Sequence, residues 1–367
     1  MKNTILISIL LLSSCTFSSK KEMETIHLND VGNIDKYLEW DISNKFDSLN
    51  YVLLETNDSI LIADISNLRE SAQDYFITSD DRLFRFDKQG HFCNFIGNRG
   101  SGPEEYVSIQ DFCLDNQRQI VYILDYFGRK IMYYDFNGNY VGACKLIDDY
   151  AFNTFCFWED HLYLTSVNNA FTPDLLVVDP KNGESRALSF RERTMGTDEG
   201  FLGTSYLYEA DGDLSIYHYF NDTIFRVSDA GLTPYRLLDL GSLKLTFTEA
   251  DIRNGALSGT KMQIFGFFET KKTVFIRYML TDFKGEKYQT FTAVYDKEAK
   301  KTYPSANLCT KTFPLFRCPT GKRLFPSSDF NAFLTTFQIS EIESLPDGRD
   351  LGELADNNPV LVKFVSR

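Results

Sequence analysis

Apolar residues alternate with polar ones in short runs of five to seven along most of this chain, and the runs stop at Asp or Gly. Alternation with period two predicts half-buried strands, because successive side chains of a strand point to opposite faces. One strand–turn–strand unit recurs: RLFRFDKQGHF (82–92), IMYYDFNGNYV (131–141), LLVVDPKNGES (175–185), IFRVSDAGLTPY (224–235) and a looser FTAVYDKEAKKTY (291–303). The turn aspartates Asp87, Asp135, Asp179, Asp229 and Asp296 lie 48, 44, 50 and 67 residues apart. A period of about 40–50 residues carrying several short strands predicts propeller blades.

Laid out in full, one unit holds four strands: A at 109–115, B at 120–126, C at 130–136 and D at 140–146. Blades three, four and five repeat this order, and blade one starts with ILIADIS (60–66) as strand A. Near the C-terminus only PLFRC, AFLTTFQ and PVLVKFV remain, three strands without a fourth. YVLLET (51–56) is therefore expected to complete blade six from the N-terminal side, which removes the open edge between the chain ends. The predicted fold is an all-β six-bladed β-propeller of four-stranded antiparallel blades.

The first residues read as an address. Lys2, the apolar run Thr4 to Leu12 and the small residues before Cys15 fit a signal peptide, and nine apolar residues are too few to span a bilayer. Leu12-Ser13-Ser14-Cys15 resembles a bacterial lipobox, which implies removal of 1–14 and diacylation of Cys15. Thr16, where an inner-membrane retention signal would have Asp, points to the outer membrane, with the leaflet open. Residues 15–45 are expected to be tether and lead-in, and 46–367 a single domain.

Processing leaves 37 Lys and Arg against 51 Asp and Glu, a balance of −14. Such a surface argues against nucleic acid and anionic lipid as partners, so the membrane is expected to be met through the lipid anchor alone. The 32 Phe and 20 Tyr suit many half-buried strand positions.

The stretches YVLLETNDS, IGNRGSGPEEY and NNPVLVKF are similar to those of the six-bladed β-propeller lipoproteins of Bacteroidetes-type bacteria. The resemblance covers about residues 45–367 and is most specific at Gly100-Ser-Gly102-Pro103-Glu104-Glu105-Tyr106, where Glu104 replaces the usual Gly. It implies an NHL-like propeller in the envelope and no particular activity.

In a four-stranded antiparallel blade the B–C and D–A connections share one face, and the A–B and C–D turns share the other. The long segments 97–107, 191–203, 241–262, 281–287 and 339–357 all fall on the first face; 319–330, read as an A–B loop, is the exception. Long insertions gathered on one face mark the binding face of a repeat protein. Arg99, Glu104, Glu105 and Tyr106 are the candidate ligand contacts, with Gly100 and Gly102 expected to adopt positive φ and Pro103 to stiffen the turn.

Other chemistry is sparse. The hairpin aspartates come one per blade, as turn formation requires, without the clustering of a calcium loop. Gly-Asn-Arg-Gly-Ser-Gly-Pro lacks the Lys-Ser/Thr of a phosphate loop. His27, His91, His161 and His218 are scattered, so no metal site is expected. No cofactor motif occurs, no serine-nucleophile signature is present, and acid pairs such as Asp148-Asp149 read as solvated loop residues. Cys93, Cys113, Cys144 and Cys156 are expected to be unpaired, small core hydrophobes, while Cys309 and Cys318 stand nine apart and could bridge. Two functions stay open: a monomeric recognition module for a glycan, peptide or envelope protein, and an envelope hydrolase or lyase at the channel mouth. The lack of any catalytic signature favours the first.

Overall fold

The computed structural model describes residues 23–29, 40–41, 46–146, 152–166, 175–189, 205–210, 212–219, 221–245, 259–283, 287–304, 306–307, 323–342, 345, 349–354 and 358–366. Six four-stranded antiparallel sheets account for almost all of them, in the order A-B-C-D within each blade. Blade two shows the unit: Asp111–Asp115, Ile120–Asp125, Lys130–Asp135 and Tyr140–Lys145. Its two middle strands bury nearly every residue, because neighbouring blades cover both sheet faces. The six A strands contact one another in sequence, and the sixth (Phe325–Pro326) meets the first (Asn67–Glu70), closing the ring.

Closure follows the expected scheme. Phe46–Leu53 is the outer strand of blade six, antiparallel to Val360–Ser366 with Leu53 opposite Val360. The C–D turns of blades one and two pack closely on the blade before them. Asp87 Oδ1 accepts from the Gln89 and His91 amides, and Gly90 has φ 89°. A Cβ on Gly90 would lie 2.1 Å from the Leu53 carbonyl oxygen of blade six. Gly138 stands likewise against the Phe95 carbonyl of blade one. These glycines are required by close approach between blades as well as by the turn.

Two strand assignments shift and two further strands appear. Strand A of blade one is Asn67–Glu70 and not 60–66. Ile60 and Ile62 are buried as their alternation demands and Ile65 is buried one position out of phase, but the Ile62 amide donates to Asn358 Oδ1 instead of entering a ladder. Strand A of blade six is Phe325–Pro326, so the A–B link shrinks to 327–331 and the exception on the short-turn face disappears; 314–318, where the sequence pattern places that strand, lies outside the described residues. The remaining two lie in the lead-in, which is in part ordered strand. Glu24–His27 adds a fifth, parallel strand to blade four beside Gly231–Asp239, and Trp40–Asp41 pairs with Ala306–Asn307 beyond blade five. The N-terminal segment thus steps round the rim past blades four, five and six in order. Ile26 and Leu28 are fully buried there, which explains why the strand stays on an edge that the turn pattern of blade four does not provide for.

Cys93, Cys113, Cys144 and Cys156 are free thiols, but only Cys113 is fully in the core, and Cys93, on the outer strand of blade one, is exposed and not a core residue; Cys15, Cys309 and Cys318 lie outside the described residues, as do 1–22 and 191–203.

Candidate functional site

The D–A connection from blade one to blade two is held by its own backbone. Arg99 and Tyr106 form a parallel bridge, the Gly100 amide donates to the Tyr106 carbonyl at 2.8 Å, and the Tyr106 amide to the Asn98 carbonyl at 3.1 Å. Glu105 closes the tip: its Oε2 accepts from the Gly102 amide at 2.8 Å. Blade two then clamps the outside, with Tyr134 Oη donating to the Glu104 carbonyl and Lys130 Nζ to the Glu105 carbonyl, each at 2.8 Å.

The glycines matter for a reason the sequence did not reveal. Gly100 and Gly102 do not take positive φ; Gly97 does, at 63°. A Cβ on Gly100 would fall 2.0 Å from Glu105 Oε2, and one on Gly102 at 3.0 Å, so both positions make room for a carboxylate. Glu104 has no positive φ either, hence its departure from the family pattern leaves the turn intact.

The four candidate contacts separate. Arg99 is exposed, its Nη2 3.4 Å from Asp81 Oδ2. Glu104 is exposed and Glu105 half-buried as the turn's internal clamp. Tyr106 is 1 % exposed, packed with Phe76, Phe112 and Met132 between blades one and two. Burial pushes its hydroxyl up to about 12. A large aromatic at the joint of two blades gains more from core burial than a loop tip could offer it, so the Tyr106 ring serves here mainly as packing.

Two recesses flank this connection. A cleft of about 690 Å³ is lined by Ser79, Asp80, Arg82, Asn98 and Arg99, with Tyr106 among its apolar walls. A second, of about 600 Å³, is lined by Pro103, Glu104, Glu105, Tyr134 and Tyr140. Gly97 and Asn98 line both. Asp80 and Asp81 form the B–C turn at the edge of the first cleft with φ of 50° and 55°, a left-handed pair that usually calls for Asn or Gly. Arg82 stands out chemically. Among the described residues its side chain has neither a hydrogen bond nor an ion pair, and its guanidinium lies 5.9 Å from the centre of the Phe95 ring.

The neighbouring B–C turn adds an apolar element. The carboxylate of Asp125, 0 % exposed, accepts from the Val107, Ser108 and Gly128 amides, each at 3.0 Å, and from Ser108 Oγ. One buried side chain thus fixes two loops, and between its anchor points Tyr126 and Phe127 stand out 41 % and 73 % exposed. Their rings meet edge-on at 5.2 Å. Sequence reasoning passed over Arg82, Tyr126 and Phe127 because they sit in or beside strand-like runs. The available signal was an aromatic pair in a short link between strands, where the chain has no core to fill.

Around the channel, polar groups mostly tie blades together. Asp111 accepts from Asn67 Nδ2 at 2.6 Å, the Phe155 amide at 3.1 Å and its own Phe112 neighbour, linking the A strands of three blades. Burial raises its pKa against the pull of Arg69. Glu269, at the end of strand A in blade five, receives Arg236 Nη1 at 2.6 Å, Lys297 Nζ at 2.8 Å and Tyr208 Oη at 2.9 Å. Glu70 occupies the same place in blade one and receives Lys88 at 2.5 Å and Lys363 at 2.9 Å. In both blades the lysine follows the hairpin aspartate and the second cation comes from the preceding blade. Glu209 differs, since burial raises its pKa and no opposing charge lowers it. Among the described residues no cluster of three metal-ligating side chains forms.

Six four-stranded blades closed by an N-terminal strand, with loops gathered on one face, define a six-bladed β-propeller. The chain belongs to the family described as "Domain of unknown function (DUF4934)", whose model matches residues 23–364. That match starts one residue before the added strand of blade four. No curated protein matches the chain. Among solved structures it is similar to a protein assigned as exported from Bacteroides fragilis, at 17 % identity and TM-score 0.67, with 94 % of this chain and 99 % of that one covered. It is also similar to a member of the DUF4221 family from Bacteroides vulgatus, at 8 % identity and TM-score 0.54, over 88 % and 97 % of the two chains. At these identities the likeness extends to the fold.

Proposed function

We propose that this protein is an exported, Cys15-lipidated outer-membrane propeller of NHL-like type that captures a glycan, peptide or envelope protein on its loop-rich face. The observation that carries the reading is Arg82: a guanidinium without an acidic partner, on the wall of a 690 Å³ cleft, in a chain of net charge −13. An arginine fork of this kind takes a carboxylate or vicinal oxygens bidentately. Arg99 and Asn98 supply further donors, and Tyr126 and Phe127 offer a rigid apolar platform at little entropic cost. The Leu-Ser-Ser-Cys motif and the likeness to a protein assigned as exported support the address.

The test is capture from envelope extract and from a glycan array. Arg82→Ala should lower binding about tenfold or more, since a hydrogen bond to a charged group contributes about 1.5–3 kcal/mol. Unchanged binding by Arg82→Ala would remove the cleft from the reading. Incorporation of labelled fatty acid into the wild type and not into Cys15→Ala tests the anchor.

One observation favours the alternative, a hydrolase or lyase. Glu209 lies on the innermost strand of blade four with a raised pKa, the state a general acid needs. Turnover of a captured glycan that is lost in Glu209→Gln would establish it.

A further inference from the structure

Strand polarity fixes where the tether leaves the propeller. Gly231–Asp239, the D strand of blade four, starts at the C–D turn on the short-turn face and runs toward the loop-rich face. Glu24–His27 pairs with it in parallel, Glu24 opposite Arg236 and His27 opposite Asp239. The chain therefore enters this strand from the short-turn side. Glu24 is locked in place: its carboxylate receives Arg236 Nε at 2.6 Å and Tyr295 Oη at 2.8 Å, the latter one residue before the C–D turn of blade five. Only nine residue steps separate Cys15 from Glu24. At about 3.3–3.6 Å per residue they reach at most roughly 30 Å.

The same corner carries a charge pattern opposite to that of the whole chain. The two turns of blade five on the short-turn face hold Lys271, Lys272, Lys297 and Lys300, and strand D opens with Lys301. Lys271, Lys272, Lys300 and Lys301 are exposed, and Glu298 is the one exposed acid among them. Lys297 is turned inward to Glu269. The D strand of blade five, which begins at Lys301, contacts the Glu24–His27 strand directly. Net charge argued against anionic lipid; locally the balance reverses.

We propose that the short-turn face at blade five is the membrane-facing surface of the protein, with its lysines against anionic lipid headgroups and the loop-rich face turned away from the bilayer. This rests on the anchor reading for the tether, while the lysine surface stands on its own geometry. Tether and lysines act together: the acyl chains hold the protein at the bilayer, and the short reach of the tether brings blade five down first. The orientation leaves the Arg82 cleft and the Tyr126–Phe127 platform open to a partner.

The experiment uses the full lipidated chain in vesicles of phosphatidylcholine with phosphatidylglycerol, with an energy acceptor in the bilayer. A fluorescent non-natural residue is placed either at Ala299, in the C–D turn of blade five, or at Phe127 on the opposite face. Transfer to the bilayer should be stronger from position 299, and Lys271→Glu, Lys272→Glu and Lys300→Glu together should weaken it while leaving the anchor in place. In a second arm, Cys15→Ala protein without an anchor should cosediment with phosphatidylglycerol vesicles and not with pure phosphatidylcholine. The triple reversal should lower that binding by at least about fivefold per lysine. Stronger transfer from position 127 overturns the orientation. Cosedimentation indifferent to the triple reversal overturns the lysine surface. Absence of fatty-acid label in the wild type defeats the anchor reading alone, and the second arm then still decides the lysine surface.

Discussion

Replacing Glu269 by Gln tests how the blades are held together. Glu269 is 0 % exposed and neutralises Arg236, itself 4 % exposed, and Lys297 at 15 %. Gln keeps the size and an acceptor for Tyr208 Oη but removes the charge that Arg236 and Lys297 face; Lys297 Nζ keeps its donation to the Thr270 carbonyl at 2.7 Å, and Arg236 keeps Glu24. Removing one partner of a buried ion pair costs about 3–5 kcal/mol. Because Glu24 still contacts Arg236 and is itself 30 % exposed, the lower end applies, about 3 kcal/mol. With an unfolding entropy of about 2.1 cal/mol/K per residue over roughly 320 residues, Tm should fall by about 4–5 °C. Adding Lys297→Met to Glu269→Gln should recover about 1–2 kcal/mol, since the largely buried positive charge that has lost its carboxylate is gone. Differential scanning calorimetry and urea unfolding read both changes. A single variant within about 1 kcal/mol of wild type, or a double variant less stable than the single, would refute the reasoning. The pH dependence gives a second check. Burial alone would raise the Glu269 pKa, but Arg236 and Lys297 hold it below 4.5. A carboxyl lowered in the folded state contributes stability that is fully present above its unfolded value, near 4.5, and is lost as pH falls through the folded value. Wild type and Glu269→Gln should therefore differ most above pH 4.5 and converge in acid.

Three further outcomes are expected. Tyr106→Ala should cost about 3–5 kcal/mol by emptying the joint of blades one and two, whereas Arg99→Ala should change stability within about 0.5 kcal/mol; equal effects by calorimetry would contradict the separation of these neighbours. Gly90→Ala should destabilise the ring markedly, because its Cβ meets the Leu53 carbonyl at 2.1 Å, while Gly100→Ala should displace only the Glu105 side chain and leave Tm nearly unchanged. Deleting the chain through Glu55 removes the outer strand of blade six and exposes the Val360–Ser366 edge, so the protein should associate in analytical ultracentrifugation; a monomer with wild-type Tm would show that closure does not depend on this strand.

The blades were legible in the sequence because their determinants are local. Alternation sets most strands, Asp followed two to four residues later by Gly sets the C–D turns of blades one to four, and three leftover strands call for a fourth. Where the pattern misled, a distant group had satisfied the backbone: 60–66 alternates like a strand, but Asn358, almost three hundred residues away, takes the Ile62 amide. Nor could Glu24–His27 be read as a strand, since its partner on blade four lies 212 residues further on. The candidate site was legible in place but not in chemistry. The D–A connection was found, yet Tyr106 and Glu105 face inward and Arg82 faces the cleft, because the direction of a side chain on a closed ring depends on the blade beside it. The sequence by itself determined the repeat and its number, which need only neighbouring residues, and its closure, which follows from counting the strands left over at the two ends. Tertiary structure alone decided which carboxylates pair across blades, which arginine is left without a partner and which face the tether leaves, because ring closure brings together groups whose spacing along the chain carries no periodic signal.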